Sequence, residues 1–298
     1  MNARQPLAQL GLGAGQKARL HRILYRSGLG NGTAMFLPYD HGLEHGPRDF
    51  AGNPASADPR YVIKLAVDGG FNGVAIQIGL ARKFYWDYAG EVPLVLKLNG
   101  KSEIPAIDPF SPVNASVEEA VRLGADAVGY TLYVGSPAQD RDFAQYRQVR
   151  ADAERLGMPL IVWSYPRGTA IDAKGGKDSF YAVDYAARIA SELGADLVKV
   201  NFPRPEKQDG VPAAYQGQFS PEQAIGAVVR SAGRSLLLVS GGEKAGDEAM
   251  LDKARLSMEA GATGLIFGRN VWQREPGEAR RFAAKLAEIL AKYPSPAA

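Results

Sequence analysis

Small-residue turns followed by apolar runs recur along the chain. Four times a polar and apolar pattern typical of a helix ends in such a turn and leads at once into a β-rich stretch: DGGFNGVAIQIG, LGADAVGYTLYV, LGADLVKVNFP and AGATGLIFGRN. Glycine just past a helix end is the usual left-handed cap, and runs of Val, Ile, Leu and Phe are typical of strands buried on both faces. Each stretch therefore represents the helix-to-strand half of a βαβ unit.

The same signals predict eight strands and seven helices in alternation. The predicted strands are Met35–Asp40, Val74–Gly79, Leu94–Asn99, Ala127–Val134, Leu160–Tyr165, Leu197–Phe202, Leu236–Ser240 and Leu265–Gly268. The predicted helices are Arg60–Val67, Val117–Leu123, Asp140–Leu156, Ala182–Leu193, Pro221–Ala232, Glu248–Glu259 and Pro276–Lys292. Such an alternation without a linker predicts an α/β fold, a single (β/α)8 TIM barrel over residues 35–298, preceded by an N-terminal extension, residues 1–34, with a short helix. Between Leu80 and Pro93 the helical pattern is poor, so we expect an irregular excursion there.

Composition and charge narrow the range of functions. The chain has 298 residues, 46% hydrophobic and 22% charged, as in ordinary soluble globular proteins. A net charge of +3, with no Lys/Arg run longer than a pair, argues against nucleic acid and membrane surfaces as partners. The absence of cysteine excludes disulfides, thiolate catalysis and Cys-ligated zinc. No apolar stretch has the length of a signal peptide or a membrane span, so we expect a cytoplasmic protein.

Strand 6 carries the most specific chemical signal. In such barrels the active site lies at the carboxyl ends of the strands, and Lys199 lies in the apolar stretch LVKVNFP near that end of its strand. Strand alternation directs Lys199 into the barrel or towards the helices, and burial in either place lowers the pKa of an amine towards the neutral form that a Schiff-base nucleophile needs. A lysine whose head reaches the rim to pair with a carboxylate is the alternative. Lys97, in LVLKLNG, has a similar setting, so this pattern alone does not decide.

The ends of strands 7 and 8 favour a phosphate site. The stretch SGGEK, residues 240–244, provides Ser240, Gly241 and Gly242, whose backbone N–H groups can approach an anion. The stretch FGRN adds Gly268 and the permanent charge of Arg269. Barrels often bind phosphate between the loops that follow these two strands, so the two stretches together favour phosphate over ordinary turns.

Strand 5 offers an acid or base. Tyr165 and Trp163 are two residues apart in WSYPRG and therefore face the same side, and Arg167 follows. A phenol can exchange a proton with an intermediate bound to a nearby amine. A core Trp and a rim Tyr with a satisfied hydroxyl are equally compatible with this stretch alone.

The stretch YDHGLEHGP raises the question of a metal. His41, Glu44 and His45 match H-x-x-E-H, a zinc-peptidase signature that requires a helix. Gly42, Gly46 and Pro47 interrupt the segment, which predicts that it is not helical, and His21 is the one further histidine. We therefore expect no metal here, and Asp40, at the tip of strand 1, is the better candidate for chemistry.

Taken together, DHGLEHGP, WSYPRG, VKVNFP, SGGEK and FGRN resemble the class I fructose-bisphosphate aldolases of the archaeal type, from about Met35 to Trp272. The resemblance implies Lys199 as the imine-forming lysine, Tyr165 as the proton shuttle and Asp40 as the supporting carboxylate, with Trp163 lining the site. The resemblance further implies one phosphate site near the imine and one far from it. The near site would comprise Ser240, Gly241, Gly242, Gly268 and Arg269, and the far site His45 and Arg167.

The implied activity is metal-independent, reversible cleavage of fructose 1,6-bisphosphate to dihydroxyacetone phosphate and glyceraldehyde 3-phosphate, with no cofactor. Two relatives of the same fold stay open as alternatives: a 2-amino-3,7-dideoxy-heptulosonate synthase that works by a transaldolase-like exchange, and an autoinducer-2 thiolase. His45 and Arg167 favour the bisphosphate. A non-catalytic sugar-phosphate-binding barrel would have no reason to keep Lys199 with Tyr165. The resemblance also implies an assembly of several identical barrels.

Overall fold

Eight parallel strands form a closed barrel in the computed structural model, which describes residues 6–105, 108–206, 210–242 and 245–295. The strands are β1 (Ala34–Tyr39), β2 (Gly73–Gln77), β3 (Leu94–Lys97), β4 (Ala127–Val134), β5 (Leu160–Pro166), β6 (Leu197–Asn201), β7 (Leu236–Ser240) and β8 (Gly264–Ile266). Each strand pairs with its neighbour in the sequence, and β8 closes the barrel against β1 through the pair Met35 and Leu265. The predicted (β/α)8 fold is confirmed.

One helix precedes the first strand, and the others follow the strands along the chain. They are α1 (Ala14–Tyr25), α2 (His41–Glu44), α3 (Pro59–Asp68), α4 (Ile78–Leu80), α5 (Val117–Arg122), α6 (Gln139–Arg155), α7 (Thr169–Asp172), α8 (Phe180–Glu192), α9 (Pro221–Ser231), α10 (Asp247–Glu259), α11 (Arg269–Trp272) and α12 (Pro276–Leu290). Single 3-10 turns span Leu7–Gln9, Pro47–Phe50, Pro54–Ala57, Trp86–Tyr88 and Ala213–Tyr215. The predicted strands and helices end within two residues of the observed ones.

The segment after β2 is the irregular excursion that the poor helical pattern predicts. It consists of α4, a π-helical turn at Ala81–Tyr85 and a 3-10 turn at Trp86–Tyr88. Tyr85 is buried, and its hydroxyl donates to the carbonyl oxygen of Val92 at 2.7 Å. This contact holds the excursion against the start of β3.

Alternation along the strands divides the core into two clusters. Val198 and Val200 face the helices and belong to the outer cluster, whereas Leu197 belongs to the cluster inside the barrel. Because side chains alternate along a strand, Lys199 points inward, the choice that the sequence left open. The same argument directs Trp163 and Tyr165 of β5 inward.

The N-terminal helix α1 packs against the barrel at the amino ends of the strands. Its apolar side chains Leu20, Ile23 and Leu24 are buried in the inner cluster, beside Phe36 of β1. Arg22 forms an ion pair with Asp126, at 2.6 Å, just before β4. The apolar face of α1 is therefore part of the barrel core. Among the described helices, none is long and apolar enough to cross a membrane.

Candidate active site

A cavity of about 470 Å³ opens at the carboxyl ends of the strands, where active sites of this fold lie. Every candidate residue from the sequence lines it. Those residues are Asp40, His45, Trp163, Tyr165, Arg167, Lys199, Ser240, Gly241, Gly242, Gly268 and Arg269. The barrel therefore brings together side chains from loops that are up to 229 residues apart, from Asp40 to Arg269.

Lys199 and Tyr165 form the centre of the cavity floor. Lys199 is 6% exposed, and its Nζ donates a hydrogen bond to the Tyr165 hydroxyl. Burial lowers the pKa of Lys199 to about 7, with the Asp40 carboxylate opposing that shift. Burial raises the pKa of Tyr165 well above its usual range. The amine is therefore substantially neutral near pH 7, and the phenol keeps its proton.

Trp163 lies level with Lys199, because the two residues pair across β5 and β6. Its ring is buried, and the Nζ of Lys199 lies 5.2 Å from the ring centroid. Its buried Nε1 has no hydrogen-bond partner within the described part of the chain. A buried donor without a partner is energetically costly.

Asp40 follows β1 and is buried beside a second lysine. Its Oδ2 lies 3.3 Å from the Nζ of Lys97. Burial alone would raise the pKa of this carboxyl, but Lys97, His41 and Lys199 together hold the pKa well below its usual range. Asp40 is therefore an ionised carboxylate on the floor of the cavity.

The segment after Asp40 forms one helical turn, α2, so the prediction that it is not helical is wrong for His41–Glu44. Residues in a single turn have few helical hydrogen bonds, and the glycines shorten the helix without preventing it. Glu44 Oε1 lies 3.3 Å from the Nζ of buried Lys97. This long-range ion pair holds the turn against the barrel.

The two histidines of this segment have partners of their own. His41 packs edge-to-face on Trp272, with ring centroids 5.3 Å apart, and burial lowers its pKa to about 4. His45 Nδ1 lies 2.8 Å from Asp49 Oδ2. Among the residues that the structure describes, no group of three or more His, Asp or Glu side chains is arranged to hold a metal ion.

The glycine loops after β7 and β8 border one side of the cavity. Ser240 Oγ donates to Asn201 Oδ1 at 2.8 Å, and Gly241 and Gly242 follow it along the wall. Glu243 and Lys244, the rest of the SGGEK stretch, lie outside the described residues. Gly268 approaches Pro38 so closely that an added Cβ would lie 2.9 Å from the Pro38 carbonyl oxygen. Glycine is required there because backbone packs against backbone.

The cationic side chains are arranged differently from the two sites that the sequence implies. Arg269 NH1 lies 3.7 Å from Asp49 Oδ2, the same oxygen that contacts His45. Two residues expected at opposite phosphates thus share one carboxylate. Arg167 lies elsewhere on the rim, where its NH1 donates to the Pro166 carbonyl at 2.8 Å and its guanidinium lies 5.1 Å from the Tyr165 ring centroid.

The chain is similar to known proteins over most of its length. A model of the DeoC/LacD family aldolases matches residues 34–274. The chain belongs to the DeoC/LacD aldolase family. The class 1 fructose-bisphosphate aldolase of Thermoproteus tenax is 45% identical over 260 residues, which cover 87% of this chain and 90% of that protein. The resemblance to class I fructose-bisphosphate aldolases is therefore confirmed.

Solved structures of aldolases share the whole barrel. An archaeal fructose-1,6-bisphosphate aldolase, solved with its catalytic lysine covalently bound to the carbinolamine intermediate of the substrate, is 42% identical, with a TM-score of 0.77 over 91% of this chain and 98% of that one. The fructose-bisphosphate aldolase of Slackia heliotrinireducens is 28% identical, with a TM-score of 0.83 over 97% of this chain and 92% of that one. The similarity thus extends over the segment before β1 as well.

Several residues that line the cavity were not among the candidates from the sequence. Glu44 is one, because only the barrel register shows that it reaches Lys97. Asn201 is another: its Nδ2 donates to Asp178 Oδ1 at 2.6 Å, so it links the β6 end to the loop before α8. Alternation from Lys199 to Asn201 along β6 was the signal that could have identified Asn201. Lys177 and Tyr133 also line the cavity.

Proposed function

We propose that the protein is a class I, Schiff-base-forming fructose-1,6-bisphosphate aldolase with Lys199 as its nucleophile. The observation that carries the proposal is the contact between a buried, substantially neutral Lys199 and the Tyr165 hydroxyl on the cavity floor. A neutral amine can attack a carbonyl, and a protonated phenol beside it can give and take protons. A phosphorylated sugar as substrate fits the glycine loops and Arg269.

The reaction proceeds through an imine. Lys199 attacks the C2 ketone of fructose 1,6-bisphosphate, and loss of water gives a protonated imine. The imine accepts the electron pair when the C3–C4 bond breaks, and the C4 hydroxyl proton leaves with the help of a base. Glyceraldehyde 3-phosphate departs, the resulting enamine is protonated at C3, and hydrolysis releases dihydroxyacetone phosphate. Tyr165 moves these protons in our proposal, and the Asp40 carboxylate orients the reacting groups.

The substrate fits the cavity with one phosphate at each end. The loops that contain Ser240–Gly242 and Gly268 would hold the phosphate nearest the imine through backbone N–H groups, with Arg269 beside them. Arg167, on the rim beyond Tyr165, would hold the far phosphate. His45 contacts the same carboxylate oxygen as Arg269, and a structure with bound substrate would assign His45 to one end or the other. A cytoplasmic location and an assembly of identical barrels stay predictions.

Borohydride trapping tests the proposal directly. Reduction of the imine formed with dihydroxyacetone phosphate gives a stable amine, and peptide mass mapping should place this adduct on Lys199. Lys199→Arg, which keeps a long basic side chain but cannot form the imine under these conditions, is the control and should give neither adduct nor cleavage of fructose 1,6-bisphosphate. An adduct on Lys97 would overturn the assigned nucleophile. EDTA should leave cleavage unchanged; a loss that zinc restores would contradict the metal-independent reaction.

A further inference from the structure

Lys97 is a buried lysine that the proposed mechanism does not use. It is the last residue of β3, and none of its surface is exposed. Its Nζ donates to Thr131 Oγ1 at 2.7 Å and lies 3.3 Å from both Asp40 Oδ2 and Glu44 Oε1. One ammonium therefore contacts two carboxylates from the loop after β1 and one hydroxyl from β4.

The charge around Lys97 distinguishes it from Lys199. Burial alone would lower the pKa of Lys97, but Glu44 and Asp40 outweigh this effect and raise the pKa. Tyr133 of β4 also acts on Lys97, and Lys97 and Lys199 repel each other. Lys97 therefore stays an ammonium where Lys199 becomes an amine, and it is a poor nucleophile. Buried ion pairs such as those of Lys97 with Asp40 and Glu44 contribute little net stability. Holding the two carboxylates in place is therefore the better account of Lys97.

Lys97 and Lys199 approach the same aromatic ring. The Nζ of Lys97 lies 5.1 Å from the centroid of Trp163, and the Nζ of Lys199 lies 5.2 Å from it. Gly129 makes room for this arrangement, because a Cβ there would lie 2.7 Å from Cζ3 of Trp163 and 3.1 Å from Cδ of Lys97. Asp40 belongs to the same cluster, since it contacts Lys97 and its charge acts on Lys199.

We propose that Lys97 is a positioning residue of the aldol reaction. Its ammonium, held by contacts with Thr131 and Glu44, keeps the Asp40 carboxylate in place near the Lys199 amine. Lys97 itself does not touch the substrate, because it is fully buried beneath the cavity wall. The inference rests on the proposed function. The same proposal gives Glu44 of the H-x-x-E-H stretch a role, because its carboxylate contacts the buried Lys97 ammonium.

The decisive variant is Lys97→Met, which keeps most of the side-chain volume and removes the charge. Two properties should change. The kcat for fructose 1,6-bisphosphate cleavage should fall by about ten- to a hundred-fold while KM changes by less than about three-fold, because Asp40 loses its anchor. The apparent pKa of borohydride trapping should rise by about one unit, because a cation near Lys199 is gone and the Asp40 and Glu44 carboxylates are uncompensated.

A charge-balanced variant separates positioning from charge. Lys97→Met/Glu44→Gln removes one positive and one negative charge together, so it leaves one buried carboxylate, Asp40, without its lysine partner, whereas Lys97→Met leaves two. The apparent pKa of trapping should return towards the wild-type value, while kcat should stay at least about ten-fold low because Asp40 is still not held. Lys64→Met, at an exposed lysine of α3 paired with Asp68, is the surface control and should behave as wild type.

The outcomes are distinct. A folded Lys97→Met protein with wild-type kcat and an unmoved pH profile would overturn the inference, and so would a double variant that cleaves as fast as wild type. If Lys97→Met does not fold, as judged by circular dichroism, the double variant decides. A wild-type protein that forms no borohydride adduct at all refutes the proposed function instead, and the role of Lys97 in it.

Discussion

The Lys199 amine and the Tyr165 hydroxyl are hydrogen-bonded to each other across β6 and β5, on the inner face of the barrel. Burial lowers the pKa of Lys199 and raises the pKa of Tyr165, and these two groups are in direct contact. Near pH 7 a large share of Lys199 is therefore an uncharged nucleophile while Tyr165 keeps its proton, which is the combination that imine formation requires.

The rate of imine formation should rise with pH through about 7. The folded-state pKa of Lys199 is lowered from 10.5 to about 7, so the reactive neutral amine is the minor form below that pH and the major form above it. The measurement is the initial rate of borohydride trapping with dihydroxyacetone phosphate between pH 5 and pH 9, which we expect to follow one titration. A midpoint near the ordinary lysine value would show that burial does not activate Lys199.

Tyr165→Phe should reduce the kcat of cleavage by about 10²- to 10⁴-fold, because it removes the proton donor and acceptor but keeps the packed ring. The apparent melting temperature should change little. Tyr130→Phe is the matched control, since that tyrosine is buried on the outer side of β4 with its hydroxyl 2.6 Å from Asp142. The control should lose stability and keep its kcat per folded molecule; equal kcat losses in both variants would remove the case for proton transfer by Tyr165.

Arg167→Ala should affect only substrates that carry the far phosphate. A hydrogen bond to a charged group contributes about 1.5 to 3 kcal/mol, so kcat/KM for fructose 1,6-bisphosphate should fall roughly ten- to a hundred-fold. Fructose 1-phosphate, which lacks that phosphate, should react almost as before. Arg188→Ala, at an exposed arginine of α8, is the control. An equal loss on both sugars would assign Arg167 to the common chemistry or to the fold.

Gly268→Ala should destabilise the protein by about 1 to 3 kcal/mol, as overpacking usually does. The added Cβ would lie 2.7 Å from Cε1 of His41 and 2.9 Å from the Pro38 carbonyl oxygen. Gly52→Ala is the control, because no atom lies within 4 Å of a Cβ at that exposed glycine, and its free energy of unfolding should change by less than about 0.5 kcal/mol. Urea unfolding of the two variants checks this, and equal stabilities would contradict the tight packing at residue 268.

The barrel was predictable because its strands are buried on both faces. Runs such as LVKVN and LLLVS, each preceded by a helical pattern, have few alternatives in a chain of this length. The face on which Lys199 lies was not predictable, because both faces are apolar. Only the closed register, which places Leu197 inside and Val198 outside, resolves it.

The pair of Lys97 and Glu44 marks the limit of sequence reasoning at the site. These residues are 53 positions apart and follow different strands, so no spacing rule connects them. The H-x-x-E-H pattern is also a metal-site signature, but it says nothing of the contacts observed: Glu44 with Lys97, His45 with Asp49, and His41 with Trp272 and His45. The helical turn that presents Glu44 depends on this distant lysine, which is why local propensity failed to predict it.

Helix α1 closes the barrel at the amino ends of the strands, whereas the cavity lies at the carboxyl ends. Within the described part of the chain, substrate, products and water therefore share one route through the mouth between the loops. In the proposed reaction the three-carbon aldehyde leaves by that route first. The enamine is then protonated to an imine, which water hydrolyses. Slow release of the aldehyde through this mouth would let the enamine recapture it more often, which lowers the rate of net cleavage and leaves the equilibrium between the six-carbon and three-carbon sugars unchanged.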